Sequence, residues 1–133
     1  MGTLRAHTVV VIEDDPDIRE LVRSVLARTG VLVHTAENGI DGIALVERVR
    51  PDLVTLDIGL PDIDGYEVAR RLRLSARASD VRILMLSARS HELDPARGRD
   101  SGAELHLSKP FRPRELRAQV EELLSLAEPR GAA

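Results

Sequence analysis

The run Val9-Val10-Val11-Ile12-Glu13-Asp14-Asp15-Pro16-Asp17-Ile18-Arg19-Glu20-Leu21 reads as a strand, an acidic turn and the opening of a helix. Four successive apolar residues of high β propensity belong to a strand covered on both faces. Asp15 can then cap a helix that has Pro16 at its first position, where the missing N–H costs nothing. Beyond it, Ile18, Leu21, Val22, Val25 and Leu26 recur at helical spacing, so the helix predicted over Pro16–Thr29 has one apolar face.

The same unit returns along the chain. Further strands are predicted at Val31–Ala36, Leu53–Asp57, Arg82–Ser87 and Glu104–Ser108, after a first at Thr8–Ile12. A second helix covers Asn38–Arg50 and stops at Pro51. A third starts at Asp64, with Glu67 placed for a capping box, and buries Val68, Ala69 and Leu72. The last, Pro113–Leu126, carries Leu116, Val120, Leu123 and Leu124 inward. A helix near Pro95–Ser101 is weakly encoded, because Gly98 lies inside it and apolar residues are few; it is expected to be short.

Five βα units imply an α/β fold, a doubly wound parallel sheet with helices on both faces. Strands one, three and four are almost continuously apolar and belong in the centre. In the second and fifth, Val31, Val33 and Thr35 alternate with Leu32 and His34, and Leu105 and Leu107 with His106, as suits sheet edges. That sorting agrees with the flavodoxin-like (βα)5 order 2-1-3-4-5. The domain is expected over 8–126, with 127–133 as a tail or the start of a linker.

Composition narrows the function classes. The chain has 133 residues, 43% hydrophobic and 31% charged, which suits one globular domain. A net charge of −3 favours neither nucleic acid nor an anionic membrane. No apolar run approaches the ~20 residues that span a bilayer, and Met1–His7 lacks the apolar stretch of a signal peptide. The absence of Cys excludes a disulfide framework and zinc–thiolate sites. A cytoplasmic protein without a membrane partner is expected. Tyr66 and Phe111 are the only aromatic residues, too few for base stacking, so no direct nucleic-acid contact is expected of this chain.

In an open α/β sheet, ligands bind beyond the carboxyl ends of the strands. Here those ends deliver Glu13 and Asp14, Asp57, Ser87 and Lys109. Carboxylates converging in a cleft repel one another and raise their own pKa values unless a cation joins them. Oxygen-only ligation with water to spare suits Mg²⁺ better than a full Ca²⁺ cage. Such an ion would offset charge in phosphoryl transfer, Ser87 could donate to a phosphoryl oxygen, and Lys109 could pair with another. Lys109 is the only Lys among nineteen Lys and Arg residues, and a mobile point charge fits that task.

The blocks VVVIEDDPDIREL, LVTLDIGLPDIDGYEV, ILMLSA and GAELHLSKPF resemble the signature runs of bacterial two-component response-regulator receiver domains, including chemotaxis-type receivers, in order and spacing over roughly Thr8–Leu126. The resemblance implies a phosphorelay switch in which Asp57 accepts a phosphoryl group from a sensor histidine kinase or phosphotransfer protein. It implies that Asp14 and Asp57 bind Mg²⁺, with Glu13 assisting through water and the Gly59 backbone carbonyl as a further ligand. Ser87 and Lys109 match the switch hydroxyl and the phosphate-pairing lysine, and the Lys109–Pro110 peptide is expected to be cis. His106 stands where the family usually has Tyr or Phe, three residues before the lysine, so it is the candidate for the switch position. The chain would assist its own phosphorylation and dephosphorylation without being a turnover enzyme. A monomer or a weak phosphorylation-dependent dimer is expected.

Taken singly, these residues have plainer readings. Asp15 is a helix cap, Asp62 and Asp64 are turn residues, and His7, His34 and His91 show no ligand spacing. A Mg²⁺-dependent phosphatase of the haloacid-dehalogenase type would place an acid two residues after its nucleophile, where Gly59 stands. A degenerate receiver, acting as an unphosphorylated interaction module, would have lost one of Asp14, Asp57, Ser87 or Lys109, and all are present.

Overall fold

The computed structural model describes residues 7–87, 96 and 102–125. Five strands, β1 (Thr8–Ile12), β2 (Leu32–Ala36), β3 (Leu53–Asp57), β4 (Arg82–Ser87) and β5 (Leu105–Ser108), form one parallel sheet in the order β2-β1-β3-β4-β5. Helices α1 (Pro16–Ala27), α2 (Gly39–Val49), α3 (Gly65–Leu74) and α4 (Pro113–Ser125) cover its two faces. The weakly encoded helix near 95–101, apart from residue 96, His91 and the tail lie outside the described residues.

Side-chain alternation divides the core. Val10, Ile12, Val54, Leu56, Ile83 and Met85 face α2 and α3. Val9, Val11, Leu53, Leu84 and Leu86 face α1 and α4. All five residues of β3 are buried, whereas β5 shows no fully buried position, in keeping with the central and edge assignments. Leu32, at the start of edge strand β2, is 61% exposed.

The caps set the element ends. Asp15 accepts from the N–H groups of Asp17 and Ile18 at 2.9 and 3.2 Å. α1 closes two residues before the predicted Thr29, because Thr29 and Gly30 donate in tight turns to Leu26 and Ala27, and Gly30 takes φ 95°. The β2 ladder begins at Leu32, one residue later than predicted, with Val31 serving as a buried lead-in. β5 likewise starts at Leu105, although the Glu104 N–H already donates to Ile83 O. Asn38 caps α2, and Arg50 ends it in the left-handed region at φ 53° just before Pro51. Asp64 caps α3 by accepting from Glu67 N at 2.9 Å, while the Glu67 carboxylate engages Arg70 and Arg71.

Arg73, near the end of α3, reaches the carbonyls of Ser79, Val81 and Gly102 and the Glu104 carboxylate. Glu104 in turn accepts from Ile83 N at 2.8 Å. This ties the amino ends of β4 and β5 to α3. The opposite, carboxyl end of the sheet is left for chemistry.

Candidate metal and phosphoryl site

Sheet register brings the predicted polar residues together. Asp57 ends β3 beside Leu86 of β4, and Ser87 ends β4 beside Ser108 of β5. Glu13 extends β1 by donating its N–H to Ala36 O, and Lys109 extends β5 by donating to Ser87 O. Glu13, Asp14 and Asp57 each present a carboxylate oxygen within 4.8 Å of the others.

The three acids are not equivalent. Glu13 is 1% exposed and Asp57 5%, while Asp14 stands open at the mouth. Lys109 Nζ lies 2.8 Å from Glu13 Oε1 and 3.3 Å from Asp57 Oδ1. Burial pushes the Glu13 carboxyl up to about 7, against the hydrogen bond from Lys109. Burial likewise raises Asp57, against the Lys109 charge and the hydrogen bond from Gly59 N. Burial alone would lower the Lys109 pKa, but the bond and charge of Glu13, with Asp57, raise it. One ammonium therefore serves two buried carboxyls that resist ionisation. Oxygen donors short of positive charge are what a hard divalent cation satisfies. The donor set fits Mg²⁺.

Glu13 stands in the carboxylate cluster with Asp14 and Asp57. In this structure its carboxylate is spent on Lys109 and, at 3.3 Å, on the N–H of Asp15. Ser87 is fully buried, and the Lys109–Pro110 peptide is cis. Gly59 is exposed and donates its N–H to Asp57 Oδ1 at 3.2 Å. His106 is exposed on β5, with its neighbours Leu105 and Leu107 packed inward, and burial of part of its ring lowers its pKa. His7 is buried just before β1, and His34 is partly buried on β2.

Two supports were not legible as site residues. Asp62, read as a turn residue, reaches across the sheet end to accept from Gly39 N and Ile40 N at 2.8 Å each, which fastens the loop after Asp57 to α2. Arg19 places Nη1 at 3.0 Å from Glu13 O and 3.4 Å from Asp14 O. Gly65 allows a third close approach. A Cβ there would lie 2.5 Å from the Asp57 carbonyl oxygen and 2.8 Å from Ile58 Cα.

The sequence matches the family model of the response regulator receiver domain over residues 9–121. The chain belongs to that family. This receiver domain is 43% identical, over 87% of its length, to the DNA-binding dual master transcriptional regulator RpaA of a Synechocystis species, 48% of which is covered. It spans about half the length of the curated relatives it matches. A solved putative response regulator from Chloroflexus aurantiacus superposes with a TM-score of 0.81 at 33% identity, covering 90% of this chain and 98% of that one. The receiver domain of the Pseudomonas aeruginosa sensor histidine kinase PA1611, solved with magnesium in its active-site cleft, gives 0.82 at 26% identity, over 94% of this chain and 99% of that one. Family membership makes the chain a phosphorylation-dependent signalling module of the two-component type. No helix among the described residues is long and apolar enough to cross a membrane.

Proposed function

We propose that Asp57 is the phospho-acceptor of this receiver and that a histidine kinase or phosphotransfer protein is its donor. The observation that carries this reading is the convergence of Glu13, Asp14, Asp57 and Lys109 from three strand ends, with Asp57 and Glu13 buried and short of countercharge. Asp14, Asp57 and the Gly59 carbonyl would hold Mg²⁺, which when bound supplies positive charge against the phosphoryl oxygens.

The chain's own residues do the rest. An Asp57 carboxylate oxygen attacks phosphorus in line as the phosphohistidine N–P bond breaks, and the donor imidazole leaves with the bonding pair. Lys109 can release Glu13 or Asp57 and turn to a phosphoryl oxygen, since its ammonium swings on a flexible stem. The Ser87 hydroxyl donates to another oxygen. His106 is assigned the switch position, where it can follow Ser87 inward only as the neutral imidazole, because burying its charged form costs desolvation.

The donor's approach is supported by a groove of about 290 Å³ beside Lys109, lined by Ile18, Leu21, Pro110 and Phe111. An apolar groove next to a reactive carboxylate suits a helical partner presenting a phosphorylated side chain. The reading places the module, over 8–126, in the cytoplasm and assigns no nucleic-acid contact to it; any DNA binding would belong to a separate output unit.

Incubation with acetyl phosphate and Mg²⁺, followed by mass spectrometry, tests the reading. The expected product carries one hydroxylamine-labile phosphoryl group on Asp57. An unmodified chain, or a modified Asp14, would refute the assignment.

A further inference from the structure

The loop between β1 and α1 carries two of the three carboxylates. The Glu13 and Asp14 carbonyl oxygens both point to one atom, Arg19 Nη1, at 3.0 and 3.4 Å. Arg19 lies in the second turn of α1, whose first turn is pinned by Asp15. The guanidinium therefore links the acidic turn to a rigid helix. Within the turn, Glu13 Oε2 receives the Asp15 N–H, so its side chain restrains the turn from the other side.

Asp14 gains most from this brace. Glu13 and Asp57 are held by burial and by Lys109, but the Asp14 side chain is exposed. Its distance to the other two acids therefore depends on where the backbone of residues 13 and 14 is held, besides its side-chain contact with Asp57.

We infer that Arg19 is a positioning residue for the divalent cation, holding the Glu13–Asp14 carbonyls so that the Asp14 carboxylate stays aligned with Asp57. The inference rests on the proposed metal site. Two effects of removing Arg19 have opposite signs. Deleting a cation near a divalent site strengthens metal binding through electrostatics. Releasing the loop weakens it, as loss of outer-shell partners of metal ligands does by about 10–100-fold. The sign of the change therefore tells positioning from charge.

The experiment is a MgCl₂ titration of ¹⁵N-labelled chain, followed by the amide shifts of Asp57 and Gly59, in wild type, Arg19→Met and Arg19→Lys. Urea denaturation in EDTA is run beside it. Arg19→Met should raise the Mg²⁺ Kd about tenfold. Arg19→Lys, which keeps the charge and one donor on a shorter reach, should fall between the two. A Kd for Arg19→Met equal to wild type, or tighter, overturns the inference. If Arg19→Met is unfolded in EDTA, Arg19→Lys decides: weaker binding than wild type supports positioning, and equal binding overturns it. A wild type with no saturable Mg²⁺ response overturns the metal site as well, whereas a responsive wild type matched by Arg19→Met overturns the role of Arg19 alone.

Discussion

Without metal, the site should make the protein more stable in mild acid than above neutrality. The folded state lifts the Glu13 carboxyl from 4.5 to about 7, first by burial. Between those values the folded chain holds a proton that the unfolded chain has released, so stability falls as pH rises. The contribution is complete below 4.5 and gone once pH passes about 7. At about 1.4 kcal/mol per unit, the ceiling is about 3.5 kcal/mol, reached only if Glu13 titrates independently of Asp57. Glu13→Gln removes this titration while leaving Lys109 its 3.3 Å contact to Asp57. Urea denaturation in EDTA at about pH 5 and about pH 8 should show the wild type losing more stability than Glu13→Gln, by about 1–3 kcal/mol. Comparing slopes cancels the titrating groups that do not touch Glu13, His106 included, whose lowered pKa acts in the opposite direction. Excess Mg²⁺ at the higher pH should restore the wild type, by about 2.7 kcal/mol at a hundredfold excess over Kd. Parallel pH profiles for the two proteins would refute the account of Glu13.

Asp57→Asn should abolish phosphorylation and, in EDTA at neutral pH, leave the protein at least as stable as wild type, because it removes a buried carboxyl whose ionisation burial opposes; a clearly lower melting temperature would make Asp57 structural. Mg²⁺ should raise the melting temperature of wild type but not of Asp14→Ala, and equal shifts would remove Asp14 from the metal site. Gly65→Ala should cost about 1–3 kcal/mol in urea denaturation, since the added Cβ meets backbone at 2.5 and 2.8 Å, which cannot swing aside; a change near zero would contradict that contact. Thr55→Val should stabilise by about 1 kcal/mol or more, because the buried Thr55 Oγ1 has no hydrogen-bond partner among the described residues; a loss of stability would reveal one.

What could be read in the sequence was whatever depends on local order. Apolar continuity in Val9–Ile12 and Ile83–Leu86 placed those strands in the centre, and the β2-β1-β3-β4-β5 order bears that out. Asp15, Asn38 and Asp64 act within three residues of themselves, so the helix starts were legible. The strand-end acids were visible because each ends its own strand or stands within two residues of its end. Contacts made through space were not. Asp62 sits 23 residues from Gly39, and no local pattern separates an acid that caps a distant helix from one in a turn. Glu13 and Lys109 are 96 residues apart, so the sequence carried their types but not their pairing. Helix and strand ends slipped by one or two residues where a tight turn, as at Thr29 and Gly30, competed with the regular ladder.

That unforeseen pairing bears on how the resting site works. Lys109 lies nearer to Glu13 than to Asp57, 2.8 against 3.3 Å, and Glu13 is the more deeply buried acid. A buried ion pair recovers its desolvation cost only when its geometry is good, and removing one partner leaves the other costly. If Lys109 turns toward a phosphoryl oxygen on Asp57, Glu13 is left buried with a reduced share of its countercharge. It must then take a proton, which burial favours further once the bond and charge of Lys109 are withdrawn, or gain a different cation. A divalent ion at the carboxylate cluster is the second of these outcomes. Metal binding and the release of Lys109 are in this way favourable to each other. Under the proposed mechanism, the same buried carboxyl would tie these two events together.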